Sequence, residues 1–267
     1  MSLLVTMPGR FGDILWSLPT VRALSVRASE PVDLAIAGEF ASILPLLNLQ
    51  PYIRRAFALD QWSLTPPEEW RAPIGDLKGT DWDEQRDLGY RGWPSTPLPY
   101  FIGEQMGVSR EELQLDVPWI TVNDPAPPTE IAVGFTEAWF ELKLGVVLSA
   151  LERQPHPYLI LTPVGSRWMT EARYVSRISS SWVEMAGIIR NSDLFFGDCS
   201  ALHVLAVALG KPVLLCEPME ARWNPIFYPF GMDGRVQVVL GNDGRPTFDA
   251  RAVQQAIEEK LREGAVR

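Results

Sequence analysis

Apolar residues along this chain fall into short runs, separated by stretches in which they recur every three or four positions. Leu3–Met7 is the first run, and Pro8 and Gly9 end it, which predicts a buried strand followed by a turn. Residues 14–27 then carry Leu15, Leu18, Val21 and Leu24 on one helical stripe, with Asp13 just ahead as a preferred N-cap. Pro19 falls inside that stripe and predicts a weakened or kinked helix. Val32–Ala37 reads as a second strand, 40–47 as a second helix and Ile53–Leu59 as a third strand. Such β-α-β-α-β alternation predicts a parallel sheet covered by helices.

The pattern lapses over 60–119, where prolines and tryptophans are scattered around an acidic cluster of Asp81, Asp83, Glu84 and Asp87. A helix is expected within 103–113, and so long a loop-rich stretch in a compact domain is usually functional. Asp124 closes a first domain, 1–124, and the stiff proline tract 125–128 links it to a second, 129–267. There the alternation resumes, with strands at 131–135, Tyr158–Thr162, 194–197, 213–216 and 236–240, and helices at 139–151, 182–191 and 200–209. A terminal helix at 248–263 is placed to pack back on the first domain. The expected fold class is α/β: two Rossmann-like domains with parallel sheets facing a cleft, alike in plan without repeated sequence.

At 267 residues, 46% hydrophobic and 21% charged, the chain can bury a sizeable core, which excludes a disordered chain or a disulfide scaffold. Its net charge of −9 argues against a surface devoted to nucleic acid. Residues 1–128 hold 10 basic and 17 acidic side chains, whereas 129–267 hold 14 and 16, so an anionic ligand is better tolerated by the second half. Two cysteines, no basic segment ahead of the first apolar run and no stretch of 18 apolar residues lead to a cytoplasmic expectation without a membrane span. Two histidines and two cysteines leave no zinc site. Asp81-Trp82-Asp83 matches an Asp-x-Asp metal pattern but sits in a polar loop, so it reads as solvated charge and no metal is expected. Walker, Gly-x-Gly-x-x-Gly and Gly-x-Ser-x-Gly motifs are missing.

Two segments carry candidate chemistry. In residues 192–218 a strand runs into Gly197 and Asp198, and a helix opens near Ser200 and Ala201. A helix opening at the end of a parallel strand presents free N–H groups and a positive dipole end, which suit phosphate. His203, in its first turn, could donate to a phosphate oxygen; a cap and a packed histidine are the plain alternative. In Pro8 to Leu15, Gly12 and Asp13 stand at the mouth of the first domain, where ligands gather in open α/β sheets. A carboxylate there could act as general base toward a hydroxyl or serve only as a helix cap.

Together these segments resemble the two signatures of glycosyltransferase family 9, the lipopolysaccharide heptosyltransferases. GDILWSLPTVRAL is similar to the amino-terminal block and GDCSALHVLAVALGKPV to the carboxy-terminal block. The resemblance implies a GT-B fold and inverting transfer from a nucleotide-diphosphate sugar to a saccharide or other hydroxyl acceptor, with neither metal nor cofactor. It implies Asp13 as the base and Gly12, Asp198, Cys199, Ser200, Ala201 and His203 at the donor site. Lys143 is the lysine available for the family's phosphate contact, or an exposed helix lysine; Thr136 could touch phosphate or cap the helix, and Glu217 could meet a ribose or sugar hydroxyl or be a loop-end carboxylate. The block departs from the family where Cys199 replaces Ser or Thr and Ser200 replaces Gly, and Lys143 lies later than the family's phosphate-binding Lys. Those departures leave open a non-catalytic nucleotide-sugar binding protein. A GT-B enzyme that glycosylates a hydroxymethylated base in DNA, a sugar-nucleotide epimerase and a Cys199–His203 thiol hydrolase are further alternatives. Arg10 and Arg22 could meet an anionic acceptor.

Overall fold

The computed structural model describes residues 2–59, 82–90, 94–123, 126, 128–135, 149–153, 156–162, 176–178, 181–216, 235–240, 243, 247 and 249–265. They divide between two compact units, the first running to Thr121 and the second starting at Val122.

In the first unit β1 (Leu3–Met7), β2 (Val32–Ala37) and β3 (Ile53–Leu59) form as the apolar runs predict. A fourth strand, β4 (Glu84–Asp87), was not predicted; the sheet is wholly parallel in the order β3-β2-β1-β4. The central strands β1 and β2 are buried at every position, as continuous apolar runs covered on both faces should be. The expected helix at 40–47 is a 3-10 turn, Gly38–Ile43, leading into the short α2 (Leu44–Leu47). The helix expected within 103–113 is two: α3 (Leu98–Gln105) and α4 (Arg110–Leu113), parted by Gly107 at φ +64°.

Helix α1 (Phe11–Ala28) begins earlier than the periodicity suggests. Its N-cap is Arg10, so Asp13 is not the cap; it is the third helical residue and reaches back to the Arg10 N–H at 3.0 Å. This reach-back is half of a capping box, and it puts a negative charge at the positive end of the helix. Pro19 is buried inside α1 and does not end it. Proline has no N–H for the carbonyl four residues back, that of Leu15. The indole N–H of Trp119 donates to that carbonyl instead, at 3.3 Å.

Trp119 belongs to the segment 113–121, which runs on irregularly from the end of α4 and is tied down by side chains. Arg22 donates to the carbonyls of Leu113 and Gln114, each at 2.8 Å, and of Pro118 at 3.2 Å. Burial pulls the Arg22 pKa below its usual value, while neighbouring Tyr52 and Asp116 oppose the shift. Arg22 is therefore a clamp at the carbonyl end of α4 rather than a ligand for an acceptor. Tyr52 Oη donates to the Trp119 carbonyl at 2.6 Å, and the Gln50 amide exchanges two hydrogen bonds with the Thr121 backbone.

Among the described residues the second unit holds a six-stranded parallel sheet in the order β10-β9-β8-β5-β6-β7. Its strands are β5 (Thr129–Gly134), β6 (Tyr158–Thr162), β7 (Ser176–Ile178), β8 (Ser192–Gly197), β9 (Val213–Leu215) and β10 (Val236–Val238). The described helices with complete bounds are α5 (Trp182–Arg190), α6 (Ala201–Ala208) and α7 (Ala250–Ala265). The α7 side chains Val253, Ala256 and Ile257 join the core of their own unit, with Ile131, Val133, Phe196 and Leu214. Fully burying a Val, Leu, Ile or Phe side chain contributes about 1.5–3 kcal/mol. Of the helix expected at 139–151, all but its last residues lies outside the described residues. Among the described residues no helix is long and apolar enough to cross a membrane.

Candidate functional site

Among the described strands, each sheet has one place where consecutive strands depart in opposite directions. In the first unit β1 leads to β2 on one side, while β4 lies on its other side. In the second, β5 leads to β6 and β7 on one side and β8 lies on the other. Crevices at such reversals, beyond the carboxyl ends of the strands, are where open α/β sheets hold ligands. Both sequence signatures arrive there.

Asp13, 4% exposed, stands on the first turn of α1, just past the end of β1. Gly12, half-buried, precedes it in the same turn. Gly9 lets the loop cross closely over the carboxylate: a Cβ at residue 9 would lie 2.4 Å from Asp13 Cβ. One carboxylate oxygen, Oδ2, takes the Arg10 N–H; the other, Oδ1, accepts from the buried phenol of Tyr90 at 3.0 Å. Tyr90 follows β4, from across the strand reversal. It is a functional candidate that the sequence reading missed, because an aromatic in an irregular stretch carries no motif.

The second crevice is lined by backbone. Gly134 and Gly197 face each other at the ends of β5 and β8, and the Asp198 N–H donates to the Gly134 carbonyl at 3.3 Å. A Cβ on Gly197 would stand 2.0 Å from that carbonyl oxygen, so the two strand ends meet only because residue 197 has no side chain. Asp198 is buried, and Cys199 is half-buried. Ser200 caps α6 with φ −134° and ψ 175°, an extended conformation open to any residue, so this position does not require glycine. The N–H groups of Ala201 and Leu202, in the first turn, have no carbonyl within the helix to bond.

His203, 1% exposed, turns back on this cap: its Nδ1 accepts the Ser200 N–H at 3.0 Å. A backbone N–H can only donate, so Nδ1 is unprotonated and the neutral ring carries its proton on Nε2. The imidazole is thereby a hydrogen-bond donor at a helix N-terminus, suited to an anion. In this tautomer the ring's one basic lone pair, on Nδ1, is engaged by the Ser200 N–H, which counts against His203 as the base of a Cys199–His203 hydrolase. Thr136, Lys143 and Glu217 lie outside the described residues.

The Asp-x-Asp pattern is accounted for in part. Trp82 Nε1 donates to the buried Asp33 at 2.8 Å, and Asp83 accepts from the Ser2 backbone N–H at 2.6 Å and from its hydroxyl at 3.2 Å. Both tie the start of β4 to its neighbours; Asp81 lies outside the described residues.

No protein-family model matches the chain, and no curated protein matches it by sequence. Solved structures match it in three dimensions. A family 9 glycosyltransferase of Veillonella parvula has a TM-score of 0.65 at 12% identity, over 98% of this chain and 97% of its own. The ADP-heptose lps heptosyltransferase II of E. coli has a TM-score of 0.63 at 13% identity, over 99% of this chain and 100% of its own. A provisionally named UDP-N-acetylglucosamine 2-epimerase of Listeria monocytogenes has a TM-score of 0.54 at 9% identity, over 99% and 89%. Likeness at such identities establishes the fold, that of the GT-B glycosyltransferases; the fold alone does not determine the reaction.

Proposed function

We propose that this chain is an inverting glycosyltransferase that moves a sugar from a nucleotide-diphosphate sugar to a hydroxyl acceptor without a metal ion. One observation carries the reading: each of the two family 9 signatures lies at the strand reversal of its own sheet, where a ligand would sit. The ADP-heptose named for one structural neighbour makes an ADP-sugar the first donor to test.

The α6 N-terminus receives the donor diphosphate. The N–H groups of Ala201 and Leu202, the helix dipole and His203 Nε2–H meet its negative charge, which grows as the sugar–phosphate bond breaks. Asp13 takes the proton from the acceptor hydroxyl as its oxygen attacks the anomeric carbon, from the face opposite the departing diphosphate. Thr136, Lys143 and Glu217 are retained as further donor contacts, and a saccharide is the proposed acceptor class.

The test is a thermal-shift screen against ADP-, UDP-, GDP-, CMP- and dTDP-sugars with and without EDTA, followed by transfer assays. One nucleotide should raise the melting temperature, and EDTA should leave that shift unchanged. Asp13→Asn keeps an oxygen to accept the Arg10 N–H but cannot take a proton, so it should bind donor normally and lose at least ~100-fold in transfer. Full transfer by Asp13→Asn would sink the base assignment. The epimerase likeness supports a second reading, which an isomerised sugar still attached to intact nucleotide would identify.

A further inference from the structure

A general base must present a particular oxygen to the hydroxyl it deprotonates, so whatever holds the carboxylate matters as much as the carboxylate. We infer that Tyr90 is a positioning residue for Asp13, an inference that rests on the reading of Asp13 as base. A carboxylate held at one oxygen can still turn about its Cβ–Cγ bond. Asp13 is held at both, by the Arg10 N–H on Oδ2 and the Tyr90 hydroxyl on Oδ1, each at 3.0 Å. Turning the group breaks at least one of these bonds.

Capping α1 accounts for the first bond and not for the second. The helix start is satisfied when Oδ2 meets Arg10, 3 residues away, whereas Tyr90 is 77 residues away, beyond a different strand. Nor does a buried phenol need a carboxylate: Tyr52, in the same unit, donates to a backbone carbonyl. Tyr90 is itself fixed. The Leu88 N–H bonds the Thr6 carbonyl at 2.8 Å, carrying the β4–β1 pairing one residue further, and the Gly89 N–H closes a turn on Asp87. The Tyr90 ring, 3% exposed, meets Phe101 of α3 edge to face, with centroids 5.6 Å apart. Strand β4 thus brings a rigid donor to the base from across the strand reversal, and the pair is built before substrate binds.

The experiment compares the wild type, Tyr90→Phe, Asp13→Asn and the double variant. It measures ADP release from ADP-heptose with a lipopolysaccharide core oligosaccharide as acceptor. Tyr90→Phe keeps the ring on Phe101 and removes one oxygen. Its kcat should fall about 10- to 100-fold, the worth of one hydrogen bond to a charged group. Its KM values should stay within about twofold, since the bond acts on the base and not on binding. The double variant should be no slower than Asp13→Asn alone, because Tyr90 acts through Asp13. Tyr90→His, whose ring N–H can replace the phenol donor, should recover part of the loss, and equal losses in Phe and His variants would mean ring packing and overturn the inference. A Tyr90→Phe kcat within about twofold of wild type beside an inactive Asp13→Asn would remove Tyr90 and keep the base. A fully active Asp13→Asn would remove the base and the positioning role together.

Discussion

Replacing Trp119 with Phe takes away the N–H that serves the Leu15 carbonyl, in a helix where Pro19 cannot serve it. Trp119 is 2% exposed, so water does not readily take the place of the indole. A buried carbonyl deprived of its partner costs about 1–3 kcal/mol. The smaller ring also loses contact around Trp16, whose ring centroid is 5.9 Å from that of Trp119. Lost packing adds about 1–2 kcal/mol, so the substitution should cost about 2–5 kcal/mol in all. At roughly 2–4 °C per kcal/mol, the melting temperature should fall by about 4–20 °C. A double-mutant cycle isolates the hydrogen bond. Pro19→Ala restores an N–H four residues after Leu15, so Trp119→Phe in that background loses packing and little else. Its cost should shrink by about 1–2 kcal/mol, measured by urea unfolding followed at 222 nm. Costs that add to within about 0.4 kcal/mol would show that the indole does not stand in for the missing helix bond.

Gly197→Ala should destabilise the second unit by about 3 kcal/mol or more, because its Cβ meets a backbone oxygen that no rotamer change can move. Gly134→Ala meets the end of the Leu202 side chain at 2.8 Å and the Phe195 ring at 3.1 Å, and should cost less, about 1–2 kcal/mol. Equal unfolding midpoints for the two variants would refute the close approach of β5 and β8. A separate expectation concerns pH. Burial alone would push the Asp33 carboxyl up, but hydrogen bonds from Arg54 and Trp82, and the charges of Arg54 and Arg55, hold it below its usual value. A depressed folded-state pKa contributes stability above the unfolded value, near 3.9, that is lost as pH falls through the folded one. Asp33→Asn should therefore cost about 1–2 kcal/mol at pH 7, the lower part of the charged-bond range because Arg54 and Arg55 are 46% and 61% exposed. The deficit should narrow below about pH 4, and an unchanged gap between pH 7 and pH 3 in urea melts would refute the assignment.

Strands β1, β2 and β6 were legible as mostly apolar runs beside turn residues, and β3 from its apolar 56–59 despite Arg54 and Arg55; the parallel alternation followed from their order. Strand β4 was not. Its Glu-Gln-Arg-Asp sequence has no apolar period, and among the described residues it is an edge strand that pairs with β1 alone, so its residues need not be apolar. Tyr90 was hidden with it, since only the pairing of β4 with β1 brings residue 90 to residue 13. Helix α6 was legible in position and close in length, but the role of His203 as its own helix's cap partner was not: His is an uncommon third residue in a capping box. Asp13 was placed correctly at the mouth and given the wrong capping position, because Asp suits both the cap and the third helical residue.

The segment 113–121 has a consequence for the order in which the first unit is made. It supplies the donor for Leu15 and the carbonyls for Arg22 and Tyr52, and it exchanges hydrogen bonds with Gln50. While a ribosome has delivered β1 to β3 and nothing later, those groups have none of these partners. At about 5–20 residues per second, the roughly 60 residues from Leu59 to Thr121 take roughly 3–12 s to appear. For that time the emerging sheet, with the helix that will carry Asp13, is an unfinished surface exposed to chaperones and to other nascent chains.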